Sequence, residues 1–178
     1  MARSRPRFTA YVAASADGRI SLDKRRRQRW ICAEDWDFFQ AELARADAVV
    51  CGRDTYLAAA ARLRKRNTVV LTRRPKNMTR RGSVRFVNPR AADLAALFDG
   101  MRRVAVIGGA GVYREMLDQG LLDEVYLTLE PLLFGRGREL LEGGPTVQMR
   151  LRSSKRLNRT GSLLLRYAVV RSPDAASA

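Results

Sequence analysis

Val104-Ala105-Val106-Ile107-Gly108-Gly109-Ala110-Gly111-Val112-Tyr113 decides how this chain is read. Four apolar residues, expected as a strand over 104–107, run into three glycines within four positions. A helical pattern then follows from Val112 to Gln119, and Gly120 closes it as a typical C′ residue. Glycine admits positive φ and leaves no side chain to hold a ligand away. The N–H groups and dipole of a helix starting there form an anion site suited to a pyrophosphate. The spacing is not G-x-G-x-x-G, and the acidic residue which that fingerprint needs on a second strand is missing. A tight strand–helix turn with no ligand is the plain alternative.

Working outward, strands are expected at Phe8–Ala14, Ala48–Cys51, Thr68–Leu71, Val84–Val87 and Glu124–Leu129. Helices are expected at Glu34–Ala46, where Trp36, Phe39, Leu43 and Ala46 share a face, at Asp54–Arg62 with Asp54 as N-cap, and at Ala91–Phe98. Strand and helix alternate, which argues an α/β fold with a mostly parallel central sheet. After Pro131 the pattern changes to a glycine-rich stretch and two β-like segments near 147–157 and 162–170, an antiparallel hairpin. No linker or repeat divides the chain, so residues 1–178 read as one domain with a frayed tail at 172–178.

Composition narrows the chemistry. The 178 residues are 46% hydrophobic and 29% charged, a globular balance. No apolar run approaches the roughly 20 residues that span a bilayer, and no signal peptide is legible, so a cytoplasmic protein with no membrane partner is expected. Cys32 and Cys51 are expected reduced and partly buried. Histidine is absent, which excludes a Ser-His-Asp triad and a His-based zinc site; no metal is expected. Lys plus Arg number 34 against 18 acids, a net charge of +16. The excess is nearly all arginine and reads as scattered along the chain. A nucleic-acid-binding module using that basic surface is therefore carried as the reading from another class.

Four further stretches bear on function. Cys51-Gly52-Arg53-Asp54-Thr55-Tyr56 repeats the strand–glycine–helix pattern with an Arg and a hydroxyl. Leu71-Thr72-Arg73-Arg74 is a strand end whose guanidiniums suit a 2′-phosphorylated adenosine, since Arg pairs bidentately with phosphate. In Ala14-Ser15-Ala16-Asp17-Gly18, Asp17 is either a turn residue or a cleft carboxylate. In Glu34-Asp35-Trp36 the acids either cap a helix or hold a substrate amine or ring N–H. In an open α/β sheet, ligands gather at the carboxyl ends of the strands.

As a set and in order, these motifs resemble the reductase domain of bacterial riboflavin biosynthesis enzymes, itself similar to dihydrofolate reductase. The matching stretches are Ala14–Ile20, Gly52–Tyr56, Leu71–Pro75, Gly108–Tyr113, Gly120–Glu124 and Pro131–Gly135. The resemblance implies a stand-alone member with a dihydrofolate reductase-like three-layer fold, NADPH as hydride donor and a homodimer. It implies that Gly108, Gly109, Ala110, Gly111 and Val112 bind the cofactor pyrophosphate, with Gly52, Arg53 and Thr55 on its phosphates and Leu71 and Tyr113 also at the cofactor. Thr72 and Arg73 would approach the 2′-phosphate, and Ala14 and Ile20 the nicotinamide. Asp35 falls where dihydrofolate reductases place their pterin-binding carboxylate, and Asp17 matches the aspartate of a Ser-Leu-Asp-Gly motif. They are the first and second choices for the catalytic carboxylate. Trp30 is expected to shield the nicotinamide beside the substrate, and Arg27 and Arg29 to grip a substrate phosphate. One departure stands out: Ile107 occupies the position where the riboflavin-pathway reductases carry Glu. The implied activity is an NADPH-dependent oxidoreductase acting on a small heterocycle such as 5-amino-6-(5-phosphoribosylamino)uracil. The alternative is a dihydrofolate or pterin reductase.

Overall fold

The structure, a computed structural model, describes residues 5–22, 30–141 and 143–170. A nine-stranded sheet organises it. Six strands run parallel: β1 (Arg7–Ser15), β3 (Ala48–Gly52), β4 (Thr68–Leu71), β6 (Val84–Val87), β7 (Arg103–Val106) and β8 (Leu122–Glu130). β5 (Met78–Arg81) pairs antiparallel at one edge; β10 (Met149–Arg156) and β11 (Leu163–Val169) form the expected hairpin at the other. The spatial order is β10-β11-β8-β1-β7-β3-β4-β6-β5. A separate two-stranded ribbon joins β2 (Arg19–Ser21) to β9 (Arg138–Glu139).

Side-chain alternation splits the core in two. Phe8, Ala10, Val12, Val104 and Val106 face helix α3 (Ala110–Asp118), which buries Val112, Tyr113 and Met116 against them. Val49, Cys51, Val70 and Ala105 face the opposite way, toward α1 (Ala33–Ala44) and α2 (Arg53–Leu63), which contribute Leu43, Tyr56 and Leu63. Three layers result, with the carboxyl ends of β1, β7, β3 and β4 side by side.

Three local expectations change. Ala91–Phe98 is not an α-helix: Asp93 accepts the N–H groups of Ala95 and Ala96, and only Ala96–Phe98 closes, as a 3-10 turn. Asp54 lies inside α2, whose N-cap is Gly52. β5, β2 and β9 carry no apolar alternation, which is why periodicity overlooks them. Among the described residues no helix is long and apolar enough to cross a membrane.

Candidate active site

Two glycine turns meet at the centre of the sheet. The Gly52 N–H donates to the Gly108 carbonyl at 2.7 Å. A Cβ on Gly52 would lie 3.3 Å from Val112 Cγ2, and Gly108 holds φ +101°, where a Cβ would sit 3.0 Å from the Tyr113 hydroxyl. That hydroxyl donates to the Tyr11 carbonyl at 2.8 Å, pinning α3 to β1. By contrast, a Cβ on Gly109 or Gly111 would meet nothing within 4 Å, so the space before the α3 N-terminus is open. Gly52 is also the register partner of Leu71. The three glycine- or arginine-bearing strand ends therefore stand consecutively, on β7, β3 and β4.

From this contact a cleft of ≈1390 Å³ runs between α1 and α2. Of the expected residues, Ile20, Asp35, Thr55, Gly108, Gly109 and Tyr113 line it. Arg53 opens α2, while Ala110, Gly111 and Val112 form the first turn of α3. Leu71 is buried at the end of β4, Thr72 is half-buried with its N–H on the Val87 carbonyl, and Arg73 is exposed beyond it. Ala14 is buried in the sheet, and its neighbour Ala13 lines the cleft. Trp30 packs edge-on against Phe134, with ring centroids 5.2 Å apart. Arg27 and Arg29 lie outside the described residues.

The two candidate carboxylates occupy different settings. Asp17 accepts from the Ser15 hydroxyl at 2.5 Å and from the backbone N–H groups of Phe134 and Gly135 at 3.1 and 2.8 Å. The Ser15 hydrogen bond first, and the Phe134 N–H next, push its pKa down to about 2. It latches the β1–β2 turn to the segment after β8 and does not line the cleft. Asp35 does line the cleft while only 9% exposed, and Thr128 Oγ1 donates to its Oδ1 at 2.5 Å. Burial holds its pKa above the usual carboxylate range; Thr128 opposes this and the charge of Glu130 adds to it. The second oxygen carries no hydrogen bond from the described residues, so it can accept an N–H from a ligand.

Sequence reasoning missed the supports of Asp35. Thr128 and Glu130 sit two apart on β8, on the same sheet face, in a strand otherwise alternating with Val125, Leu127 and Leu129. That parity was the available signal. Also missed were three cations that line the cleft, Arg62, Lys65 and Arg66, with the Arg62 guanidinium 4.9 Å from the Trp36 ring centroid. The charge is not scattered either. Between Asp54 and Asp93 the chain carries eleven basic residues, from Arg62 to Arg90, and no acidic one. They lie on α2, β5 and β6, in the loops that join these to β4, and, for Arg90, just after β6. Cys32 and Cys51 are both free; burial pushes the Cys51 thiol up to about 12.

The chain belongs to the RibD C-terminal domain family, whose model matches residues 6–162. Solved structures agree on the fold. A pyrimidine reductase-like protein from Corynebacterium diphtheriae is 18% identical, with 94% of this chain and 93% of that one covered and a TM-score of 0.74. The Thermotoga maritima diaminohydroxyphosphoribosylaminopyrimidine deaminase/5-amino-6-(5-phosphoribosylamino)uracil reductase is 20% identical with a TM-score of 0.64; 93% of this chain covers 57% of that one. Dihydrofolate reductase from Enterococcus faecalis, solved with NADP(H), is 22% identical at 93% and 97% coverage, with a TM-score of 0.64. Among curated proteins none matches.

Proposed function

We propose that this protein is an NADPH-dependent reductase of a small anionic heterocycle, with 5-amino-6-(5-phosphoribosylamino)uracil as the reference substrate. The observation that carries the reading is Asp35: a buried carboxylate with one oxygen held by Thr128, facing a cleft that reaches the Gly52–Gly108 contact. Family membership supports the reductase class.

The residues present fit a dinucleotide phosphate. Open space lies before Gly109 and Gly111, and the N-termini of α2 and α3 start from adjacent strands. Their N–H groups and dipoles would hold the pyrophosphate, with Arg53 and Thr55 beside it, and Thr72 and Arg73 would take the 2′-phosphate. When bound, the cofactor supplies the hydride. The chain supplies orientation and the proton. Asp35 holds the donor edge of the heterocycle, and its preference for the protonated form puts a proton at its carboxyl nearer neutral pH than an ordinary aspartate would. Trp36 and Phe39 cover the ring, while Arg62, Lys65 and Arg66 receive the anionic tail.

One observation favours the dihydrofolate or pterin alternative. Ile107, half-buried at the cleft where the riboflavin-pathway reductases carry Glu, offers no charge to a polar substrate. Following NADPH oxidation with the ribosylaminopyrimidine phosphate and with dihydrofolate in parallel tests both. Turnover of the first alone supports the proposal, turnover of dihydrofolate alone moves the assignment to the alternative, and turnover of neither removes both substrates.

A further inference from the structure

Glu130 ends β8 only 3% exposed, a position where a carboxylate is costly without partners. Among the described residues no basic side chain lies within ion-pair distance of it. Its two oxygens are instead satisfied by neutral donors. The Cys32 backbone N–H donates to Oε1 at 2.8 Å, and the Ser162 hydroxyl donates to Oε2 at 2.5 Å. Ser162 is itself tied to Asn158, whose side-chain amide donates to Ser162 Oγ at 3.0 Å. One carboxylate thus joins β8, the start of α1 and the β10–β11 hairpin.

The place it grips has a particular meaning for a helix. Cys32 is the N-cap of α1 and makes no side-chain cap, so Asp35 is the N3 residue. In a capping box the N3 acid reaches back to the N-cap N–H. Here Glu130 takes that N–H from across the sheet, at the positive end of the helix dipole. Asp35 is left free to turn toward Thr128 and the cleft. A helix whose N3 acid both capped its own start and faced a ligand would be asking one carboxylate to do two things.

We propose that Glu130 is a positioning residue that caps α1 in place of Asp35, and so aims Asp35 into the cleft. What Asp35 then does there rests on the reductase reading; what holds it does not. The charge of Glu130 acts in the same direction as burial, favouring protonated Asp35. The other titratable groups meeting here are the Cys32 thiol, pushed up mainly by burial; Glu34 on the same turn; and Asp17, two residues beyond Ser15, the register partner of Glu130.

The test compares Glu130→Gln, which keeps the acceptor and removes the charge, with Glu130→Ala, which removes both. Carboxyl carbon NMR of Asp35, identified through Asp35→Asn, reports its titration midpoint without cofactor or substrate. Amide exchange at Cys32 reports the cap. In Glu130→Gln the Asp35 midpoint falls and Cys32 stays protected. In Glu130→Ala the Cys32 amide exchanges about tenfold faster, the scale of a lost hydrogen bond to a charged group. In Glu130→Ala the Asp35 carboxylate also turns back to the freed Cys32 N–H, so its midpoint falls below that of Glu130→Gln. Equal Asp35 midpoints in the two variants, or unchanged Cys32 protection in Glu130→Ala, overturn the proposal. Should the alanine variant fail to fold, the same two readings are made in Glu130→Asp, whose shortened side chain cannot reach the Cys32 N–H. NADPH titration of the wild-type protein is read separately, so a failed reductase reading is not mistaken for a failed cap.

Discussion

The stretch from 55 to 92, whose α2 end lines the cleft, and the junction of α1 with β8, which lines it through Asp35 and Thr128, follow opposite electrostatic rules. The first carries eleven cations with no anion among them, most exposed to solvent, on α2, on the outer strands β5 and β6 and in the connecting loops. The second gathers two buried carboxylates, Asp35 and Glu130, with neutral donors only. Exposed like charges are screened within about 8 Å at physiological salt, so the basic side works through a summed field on an approaching anion. Buried charges are hardly screened, so the acidic side works through single contacts. The lesson is that net charge describes encounter, and the few buried groups describe chemistry.

Breaking the acidic side should cost most. Asp35→Asn keeps the acceptor for Thr128 but removes the proton, and steady-state assay should show NADPH-dependent turnover down by about 10²–10³-fold, with NADPH affinity unchanged. The same variant gives a pH prediction. The native pKa of Asp35 is raised by burial, so whatever stability Asp35 contributes is present below its unfolded value and lost as pH rises through the native one. Thermal melts should therefore find Asp35→Asn more stable than wild type at neutral pH, with the difference closing as pH falls toward the ordinary aspartate value.

Next in size is the glycine contact. Gly108→Ala places a side chain at φ +101° and against the Tyr113 hydroxyl, a strain of about 1–3 kcal/mol; calorimetry should show a lower Tm together with weakened NADPH binding. On the basic side, Arg73→Ala should weaken NADPH by about tenfold, the scale of one charge-assisted contact, and leave NADH alone; equal losses would show that Arg73 does not read the 2′-phosphate. The smallest effect belongs to Arg80→Ser with Arg81→Ser, exposed on the edge strand β5. Stopped-flow association of NADPH should slow about two- to threefold at low salt and match wild type at high salt. A steep loss in affinity for duplex DNA in the same variant would instead favour the polynucleotide reading.

Much of this was legible before the structure. The short apolar runs of β1, β3, β4 and β7 and the glycine turns located the parallel sheet and the carboxyl ends of its strands, because apolar burial and backbone geometry leave marks within a few residues. Asp35 was legible as one of two options. The choice between capping its own helix and facing the cleft was not, because it depends on Glu130 and Thr128, more than ninety residues away, and on strand parity near the end of β8. The Asp17 latch was hidden for the same reason: its partners, Phe134 and Gly135, are separated from it by most of the chain. The basic side was open to inspection in the sequence, but only the sheet order shows that β4, β6 and β5, the strands of this stretch, form one edge of the sheet.

The central claim is that the cleft from Gly108 to Asp35 is a nicotinamide reductase site. Titrating the pure protein with NADPH and NADH, followed by nicotinamide fluorescence, tests it most directly. Saturable NADPH binding below millimolar concentration, tighter than NADH and weakened by Gly108→Ala, is the result expected. No saturable binding of either dinucleotide would contradict it.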